Sequence, residues 1–324
     1  MIGRREIGGY MELERFTGPM LHDGDVAMNC GRACLEYLAE LRDIQTLWLP
    51  DFLCSSVPDL CRKIAIQTKT YRIGEGFRPI YDFKIANGEW LYLVDYYGQL
   101  SQADVDAALG VSCGRLVVDE SQGYYRNPWE NADTLYTCRK WFGVADGAFL
   151  HTKDDARLDR KLPRSESFDK MGFVLGRFER PAGEFFAESK GNNVRFVTES
   201  MSGMSALTEN LLHAIDFDAA KKRRVENWHA LDGAHRASNR LNILTVPDAP
   251  FMYPYMIEDA SGIRQALAAE GIFIPTLWPN VLDDCQNDSV AYKYSTDILP
   301  LPVDQRYGVG DMNYLTRVLR SVLQ

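Results

Sequence analysis

Two stretches in the middle of the chain decide the fold: RLVVDESQGYY, residues 115–125, and DTLYTCRKWFGVADGAFLHT, residues 133–152. Both contain short apolar runs that predict buried strands. The first run ends in an acid, Asp119, and the second ends in the pattern Thr-x-x-Lys, from Thr137 to Lys140. A third run, bounded by glycine at 147, predicts another strand. The pattern therefore places a carboxylate at one strand end and a lysine just beyond the next.

A carboxylate and a lysine in these places suit a cofactor that carries an aldehyde on a pyridine ring. The amine of Lys140 can condense with the aldehyde as a Schiff base. The carboxylate of Asp119 can hold a proton on the ring nitrogen, which makes the ring a stronger electron sink. Together the two residues predict pyridoxal 5′-phosphate (PLP). The alternatives are a surface lysine that follows a strand and an acid that caps a turn.

Short apolar runs alternate with helical patterns through the first half of the chain. This alternation predicts crossover connections and a mainly parallel sheet. The predicted strands lie at 25–29, 46–50, 65–73, 90–98, 114–120 and 146–152, with helices near 35–41, 57–63 and 101–109. Residues 153–200 are charged and interrupted by proline and glycine, so we expect irregular or helical structure at the surface or at an interface.

The last third of the chain predicts a second, smaller α+β unit that begins near residue 200. We expect a long helix over 202–231, strands within 245–259 and 271–279, a helix over 261–271 and an amphipathic helix at the C-terminus. The predicted division is therefore a large α/β domain at 1–200, with an N-terminal arm, and a small domain at 201–324.

Composition excludes several classes of protein. The net charge of −9 would repel the phosphates of a nucleic acid. No apolar run is long enough to span a membrane. Seven cysteines without a CxxC pair indicate reduced thiols, and five histidines without an HxxxH pattern give no reason to expect a metal. We therefore expect a cytoplasmic protein without a metal.

Six segments, in order, resemble the DegT/DnrJ/EryC1/StrS family of sugar aminotransferases. They are NCGRACLEYLAE (29–40), LWLPDFLCSSV (47–57), VDYYGQ (94–99), VVDESQGYY (117–125), GNNVRFVTESMSGMSAL (191–207) and ILPLPV (298–303). The resemblance implies the aspartate-aminotransferase fold, known as fold type I. That fold has a mainly parallel seven-stranded sheet with helices on both faces and a smaller C-terminal α+β domain.

The family resemblance also implies an activity. A PLP-dependent aminotransferase would pass an amino group from a glutamate-like donor to a nucleotide-linked keto-sugar or related keto substrate. The residues leave two alternatives open: other PLP carbanion chemistry, as in a lyase or dehydratase, and a non-catalytic homologue that acts as a regulator or partner subunit. Family members that dehydrate sugars carry histidine in place of the lysine, so Lys140 disfavours sugar dehydration.

The phosphate of PLP needs hydrogen-bond donors and positive charge. A glycine turn that enters a helix supplies both. Gly31, Arg32 and Ala33 occupy the place of the family's Gly-Thr-Ala. Arg32, in place of the threonine, could form an ion pair with the phosphate or point outward as an exposed first-turn residue. Thr137 matches a position where fold type I enzymes carry a phosphate-binding Ser or Thr. Arg139 is a further candidate cation.

The remaining roles come from the resemblance alone. Gln122 would lie beside the ring hydroxyl of the cofactor. Asn193 would reach the phosphate of the partner subunit through a loop at 191–195, supported by Arg195, which implies a homodimer with shared active sites. The family's ring-stacking aromatic falls on Cys54, so Phe52, Tyr96 and Tyr97 are the alternatives, and a buried aromatic such as Phe52 more often belongs to the core.

Overall fold

The computed structural model describes residues 7–241, 245–258 and 260–323. Its main feature is a seven-stranded sheet with the strand order β1-β7-β6-β5-β4-β2-β3. The strands are β1 (Val26–Met28), β2 (Thr46–Pro50), β3 (Gln67–Tyr71), β4 (Trp90–Val94), β5 (Leu116–Asp119), β6 (Asp133–Thr137) and β7 (Ala148–His151). Neighbours from β3 to β6 pair in parallel, whereas β7 is antiparallel to β6 and β1. The predicted mainly parallel sheet is therefore confirmed.

The centre of this sheet is covered on both faces. Every residue of β4 and β5 is buried, which explains why both strands are continuous apolar runs rather than alternating ones. The connections from β2 to β3 and from β4 to β5 contain α-helices, at Ser56–Lys63 and Gln102–Ser112, as is usual for crossovers between parallel strands.

Eleven α-helices lie in the described ranges. They are α1 (Gly31–Arg42), α2 (Ser56–Lys63), α3 (Gln102–Ser112), α4 (Gly172–Glu179), α5 (Phe186–Arg195), α6 (Ala206–Leu212), α7 (Phe217–His235), α8 (Ser261–Ala269), α9 (Val281–Asp284), α10 (Val290–Asp297) and α11 (Val309–Val322). None of the helices in these ranges is long and apolar enough to cross a membrane.

The C-terminal part is built on a small antiparallel sheet. Its two strands, β8 (Met252–Met256) and β9 (Ile298–Pro302), pair along their full length. Helix α7 packs against β8 and α10 against β9, while α11 packs against α7 and α8. The larger hydrophobic cluster joins both sheets; for example, the ring of Phe52 meets that of Trp278 at 4.4 Å. The predicted domain boundary between residues 200 and 201 stays a prediction.

Three local predictions were wrong. The helix expected over 202–231 is broken between α6 and α7, because the carboxylate of Asp216 caps a new helix by accepting from Ala219 N at 2.9 Å. The strand expected over 271–279 is absent from these described residues: Pro275 and Pro279 lack the N–H that a ladder needs. The loop expected at 191–195 is instead the end of α5.

Candidate functional site

The predicted site residues gather at one edge of the large sheet. Asp119 is the last residue of β5 and Thr137 the last of β6. Lys140 lies in the connection from β6 to β7, and Gly31 begins α1 shortly after β1. In open α/β sheets, ligands bind outside the carboxyl ends of the parallel strands. The topology therefore brings these four positions to the edge where a ligand is expected.

Asp119 is held by two hydrogen bonds. Its Oδ2 accepts from the hydroxyl of Tyr92 at 2.8 Å, and its Oδ1 accepts from the backbone N–H of Ser121 at 2.8 Å. Burial, reinforced by the adjacent Asp119, raises the pKa of Tyr92 far above its usual range, so its hydroxyl stays a donor. Each carboxylate oxygen can accept a further hydrogen bond, which leaves capacity for a pyridinium N–H.

The first turn of α1 and the end of β6 form a cradle for an anion. The N-cap, Cys30, makes no side-chain cap bond, and the first turn holds no acid. A Cβ on Gly31 would lie 2.8 Å from Cγ2 of Thr137, so only glycine lets the two segments approach this closely. Within the described ranges, Oγ1 of Thr137 and Nε of Arg139 are buried without a hydrogen-bond partner. Uncommitted donors at a helix N-terminus suit a phosphate.

Two arginines add positive charge to this cradle. Burial lowers the pKa of Arg139 to about 10, which still leaves it protonated at neutral pH. Both arginines contact Asn193 of the same chain: Arg139 Nη1 donates to its Oδ1 at 2.5 Å, and Arg32 Nη2 donates to its backbone oxygen at 3.1 Å. Asn193 is therefore beside the cradle of its own chain, and its predicted role in a partner subunit stays a prediction. Arg195 binds Glu199 and Asn192 instead.

Lys140 is exposed and its amine is uncommitted. It makes no hydrogen bond or ion pair with residues 7–241, 245–258 or 260–323, and its Nζ lies 6.0 Å from the ring centre of Phe251. The next residue is anchored firmly, because the carbonyl oxygen of Trp141 accepts from Nε2 of Gln305 at 2.9 Å and from Arg224 at 3.5 Å. The lysine thus lies where the large sheet meets the C-terminal part.

Four of these contacts were missed by sequence reasoning. They involve Tyr92 and Phe251, which lie in apolar runs that also fit core packing, and Arg224 and Gln305, which lie in polar stretches. The KKRR stretch at 221–224 is a partial signal, since Arg224 is its one buried member. The sequence alone favours a solvated face for all four cations.

The other predicted residues are largely engaged elsewhere. Gln122 is buried and its Oε1 accepts from Tyr97 N at 2.7 Å. Phe52 packs among Tyr96, Trp278 and Tyr294, as expected of a core residue. Tyr96 and Tyr97 are equally buried. Which aromatic stacks on a cofactor ring stays a prediction.

A cavity of about 470 Å³ lies beside this site rather than in it. It is lined by α1, α2 and residues 196–201, and Arg32 and Ala33 of the first turn of α1 are among its lining residues. Neither Asp119 nor Lys140 lines it. The candidate site is therefore defined by the positions of Asp119 and Lys140 and not by this cavity.

Comparison with known proteins supports the architecture. No family model matches the chain, and no curated protein matches its sequence. Among solved structures, Spr1654 of Streptococcus pneumoniae, assigned as a sugar aminotransferase and solved in a PLP form, has a TM-score of 0.65 at 13% identity, over 95% of this chain and 92% of that one. A DegT/DnrJ/EryC1/StrS aminotransferase of Brucella abortus gives 0.57 at 15%, over 91% and 85%. DesI, solved with its TDP-sugar product, gives 0.63 at 15%, over 91% and 79%. The chain therefore has the fold of the DegT/DnrJ/EryC1/StrS-type sugar aminotransferases.

Proposed function

We propose that this chain is a PLP-dependent aminotransferase that moves an amino group from a glutamate-like amino acid to a keto-sugar or related keto substrate. The observation that carries the proposal is the uncommitted amine of Lys140, in the connection after β6, with the carboxylate of Asp119 at the end of β5 and the anion cradle of α1 at the same edge.

The residues at this edge fit the cofactor. Asp119 would accept from the ring nitrogen, and Gln122 would lie beside the ring hydroxyl. The first-turn N–H groups at Gly31, Arg32 and Ala33, with Thr137 and Arg139, would hold the phosphate. When bound, PLP supplies an aldehyde that captures amines and a ring that accepts electrons. The orphaned donors in the cradle support this assignment, because buried donors without partners are rare in folded proteins.

Lys140 would have two tasks. Its amine is the attachment point for the cofactor, and its Nζ is the base that takes the α-proton of the amino substrate. An amine that is free of hydrogen bonds and exposed can serve both tasks, since substrate can reach it. The anchored backbone at Trp141 keeps the base near one position.

A homodimer is part of the proposal. Helices α4 and α5 and the turn before them expose large apolar side chains, among them Phe168 at 75%, Phe178 at 93% and Phe186 at 70% exposure. Several exposed large apolar side chains on neighbouring elements are typical of an interface. Asn193 lies at the end of the same α5 helix, next to the cradle. Association through this surface would place a second subunit beside the phosphate site.

The proposal of a keto-sugar as the amino-group acceptor is based on structural similarity to sugar aminotransferases. DesI was solved with a TDP-sugar product, and this chain shares its fold. None of the six family-like segments falls within residues 153–190, which here contain the exposed helix α4, its flanking turns and the first half of α5. Selectivity for the acceptor is therefore the part of the proposal that depends most on experiment.

Covalent capture tests the proposal. The protein is incubated with PLP, reduced with borohydride and digested, and the modified peptide is identified by mass spectrometry. We expect one modification, at Lys140, and loss of the visible absorbance band on reduction. Lys140→Ala should abolish both, whereas Lys161→Ala, at an exposed site on the surface, should not. Capture at other lysines in the Lys140→Ala variant at the same level would refute the assignment.

Amine transfer from glutamate, measured as loss of that band without borohydride, then separates an aminotransferase from a non-catalytic homologue.

A further inference from the structure

Directly behind Asp119, two buried carboxyl groups face each other. Asp95 follows β4 and Glu120 follows β5, and both side chains are 0% exposed. A Cβ on Gly123 would clash with Oε2 of Glu120 and lie 3.1 Å from Oδ2 of Asp95. Both oxygens therefore converge on the same point, and the two carboxyl groups lie within hydrogen-bonding reach.

Apart from Arg126, the donors around this pair bind the other oxygen of each carboxyl group and not the two facing oxygens. Oδ1 of Asp95 accepts from Leu100 N at 2.8 Å, and Oε1 of Glu120 accepts from Nε1 of Trp129 at 2.5 Å. By contrast, Oδ2 of Asp95 and Oε2 of Glu120 are buried without a hydrogen bond from any described residue. A buried acceptor without a donor is costly.

One cation serves both groups. Arg126 Nε lies 3.3 Å from Oδ2 of Asp95 and 3.7 Å from Oε1 of Glu120. Two carboxylates beside one guanidinium would leave a net negative charge in a buried site. A single proton between the facing oxygens removes that charge and gives both orphaned atoms a partner.

We propose that Glu120 is a neutral carboxylic acid that donates its proton to the Asp95 carboxylate, and that this shared proton fixes the backbone on which Asp119 stands. Asp95 is the carboxylate of the pair because it is closer to Arg126 and accepts a backbone N–H. The bridge ties the ends of β4 and β5 together, next to the hydrogen bond from Asp95 N to Asp119 O at 3.0 Å.

The electrostatic environment agrees with this assignment. Burial, and then the neighbouring Asp95, raises the pKa of Glu120 well above its usual range. The other titratable or charged groups that face the pair are Arg126 and, on β6, Tyr136, whose own pKa is raised by burial and then by Glu120. The inference does not depend on the proposed activity, since it concerns the protein without any ligand.

Infrared spectroscopy in heavy water tests the shared proton. At neutral pH the wild-type protein should show the carbonyl stretch of one protonated carboxylic acid, which the unfolded protein lacks. Glu120→Gln keeps a donor toward Asp95 and should remove the band, whereas Glu130→Gln, at an exposed site in the same loop, should keep it. Absence of the band from the wild type, or its survival in Glu120→Gln, overturns the proposal.

The pH dependence of folding is an independent readout. An unfolded glutamate releases its proton above about pH 4.3, whereas folded Glu120 keeps it. Relative to Glu120→Gln, the folding equilibrium constant of the wild type should therefore fall about tenfold per pH unit above that value, until the raised pKa is reached. Parallel pH–stability curves for the two proteins would overturn the shared proton.

Hydrogen exchange tests the positioning role. The Asp95 amide, which is bonded to Asp119 O, should exchange faster in Glu120→Ala, which breaks the bridge, and as slowly as wild type in Glu120→Gln, which retains a donor. Equal protection in all three proteins would show that the pair does not fix this backbone. Should Glu120→Ala fail to fold, Glu120→Met, which also removes the donor but keeps most of the side-chain volume, takes its place.

Discussion

The guanidinium of Arg224 lies 4.4 Å above the ring of Trp141, and its Nη2 is 3.5 Å from the carbonyl oxygen of the same residue. Arg224 is 1% exposed and, among the described residues, no carboxylate is within ion-pair distance of it. Burial lowers its pKa to about 10. A helix of the C-terminal part thus holds the residue that follows Lys140, and the same arginine donates to the backbone oxygen of Pro250 at 3.0 Å.

Loss of this arginine should destabilise the protein. Arg224→Met removes the donor to the buried carbonyl oxygen of Pro250 and to Oε1 of Gln305, at about 1–3 kcal/mol each. We expect the free energy of unfolding to fall by about 2–4 kcal/mol, measured by denaturant titration. The matched control is Arg223→Met, since Arg223 is the exposed neighbour on α7, and its effect should stay within about 0.5 kcal/mol. Similar effects for both variants would mean that the contacts with Trp141 contribute little.

The carboxylate of Asp119 should matter to chemistry more than to folding. Asp119→Asn keeps an oxygen that can accept from Tyr92 or Ser121 N, so the protein should fold. A contact with an ionised group is worth about 1.5–3 kcal/mol, which corresponds to about 10- to 100-fold in rate. We expect α-proton removal from an amino donor to slow by that factor or more in single-turnover experiments. An unchanged rate would count against Asp119 as the partner of the ring nitrogen.

The close approach of Gly31 and Thr137 can be tested with one substitution that adds a methyl group and a second that removes one. Gly31→Ala places a methyl group 2.8 Å from Cγ2 of Thr137, and overpacking of this kind costs about 1–3 kcal/mol. PLP affinity, measured by titration, should fall accordingly. Adding Thr137→Ser removes Cγ2 but keeps the hydroxyl, so the double variant should recover affinity. If Thr137→Ser alone weakens binding as much as Gly31→Ala does, the methyl group is important in itself and the steric explanation is wrong.

Arg32 should contribute to phosphate binding despite its bond to Asn193. A charge-assisted contact is worth about 1.5–3 kcal/mol, so Arg32→Ala should weaken PLP binding by about that amount. Arg62→Ala provides the control, because Arg62 lines the neighbouring cavity but pairs with Asp59. A change in affinity of only a few tenths of a kcal/mol for Arg32→Ala would show that its side chain serves only to hold α5.

The sequence predicts the sheet well because strand signals are local. The apolar runs of β4 and β5 and the glycine before β7 identify strands without knowledge of their partners. The prediction of helix over 202–231 fails at one residue, Asp216, whose capping bond competes with continued helical periodicity. The prediction of a strand over 271–279 fails because it relies on the apolar pattern, whereas two prolines in this segment prevent strand pairing.

The candidate site also contains residues that the sequence predicts and residues that it does not. Asp119, Thr137 and Lys140 lie close together in the sequence, and their order after two predicted strands is enough to predict a PLP site. Tyr92 and Phe251 reach the site from distant parts of the chain, 27 residues before Asp119 and 111 after Lys140 by their numbers. Their contacts arise from packing between elements, and a pattern within one segment does not contain that information.

A mixed-subunit experiment shows whether Asn193 contributes to the phosphate site of its own subunit or to that of the partner. Chains carrying Lys140→Ala and chains carrying Asn193→Ala, each impaired alone, are unfolded together and refolded. With Asn193 acting across the interface, a mixed dimer has one site with both defects and one with neither, so about a quarter of the wild-type activity should return on random pairing. Affinity tags on the two chains establish that mixed dimers form.

The contacts of Asn193 explain what it would mean if mixed dimers formed but no activity returned. Its Oδ1 accepts from Arg139 of its own chain. If Asn193 acts only there, each site of a mixed dimer carries one defect and no activity returns. Mixed dimers without recovered activity would therefore assign Asn193 to the cradle of its own subunit. A protein that binds PLP tightly as a monomer at micromolar concentration would contradict the shared site directly.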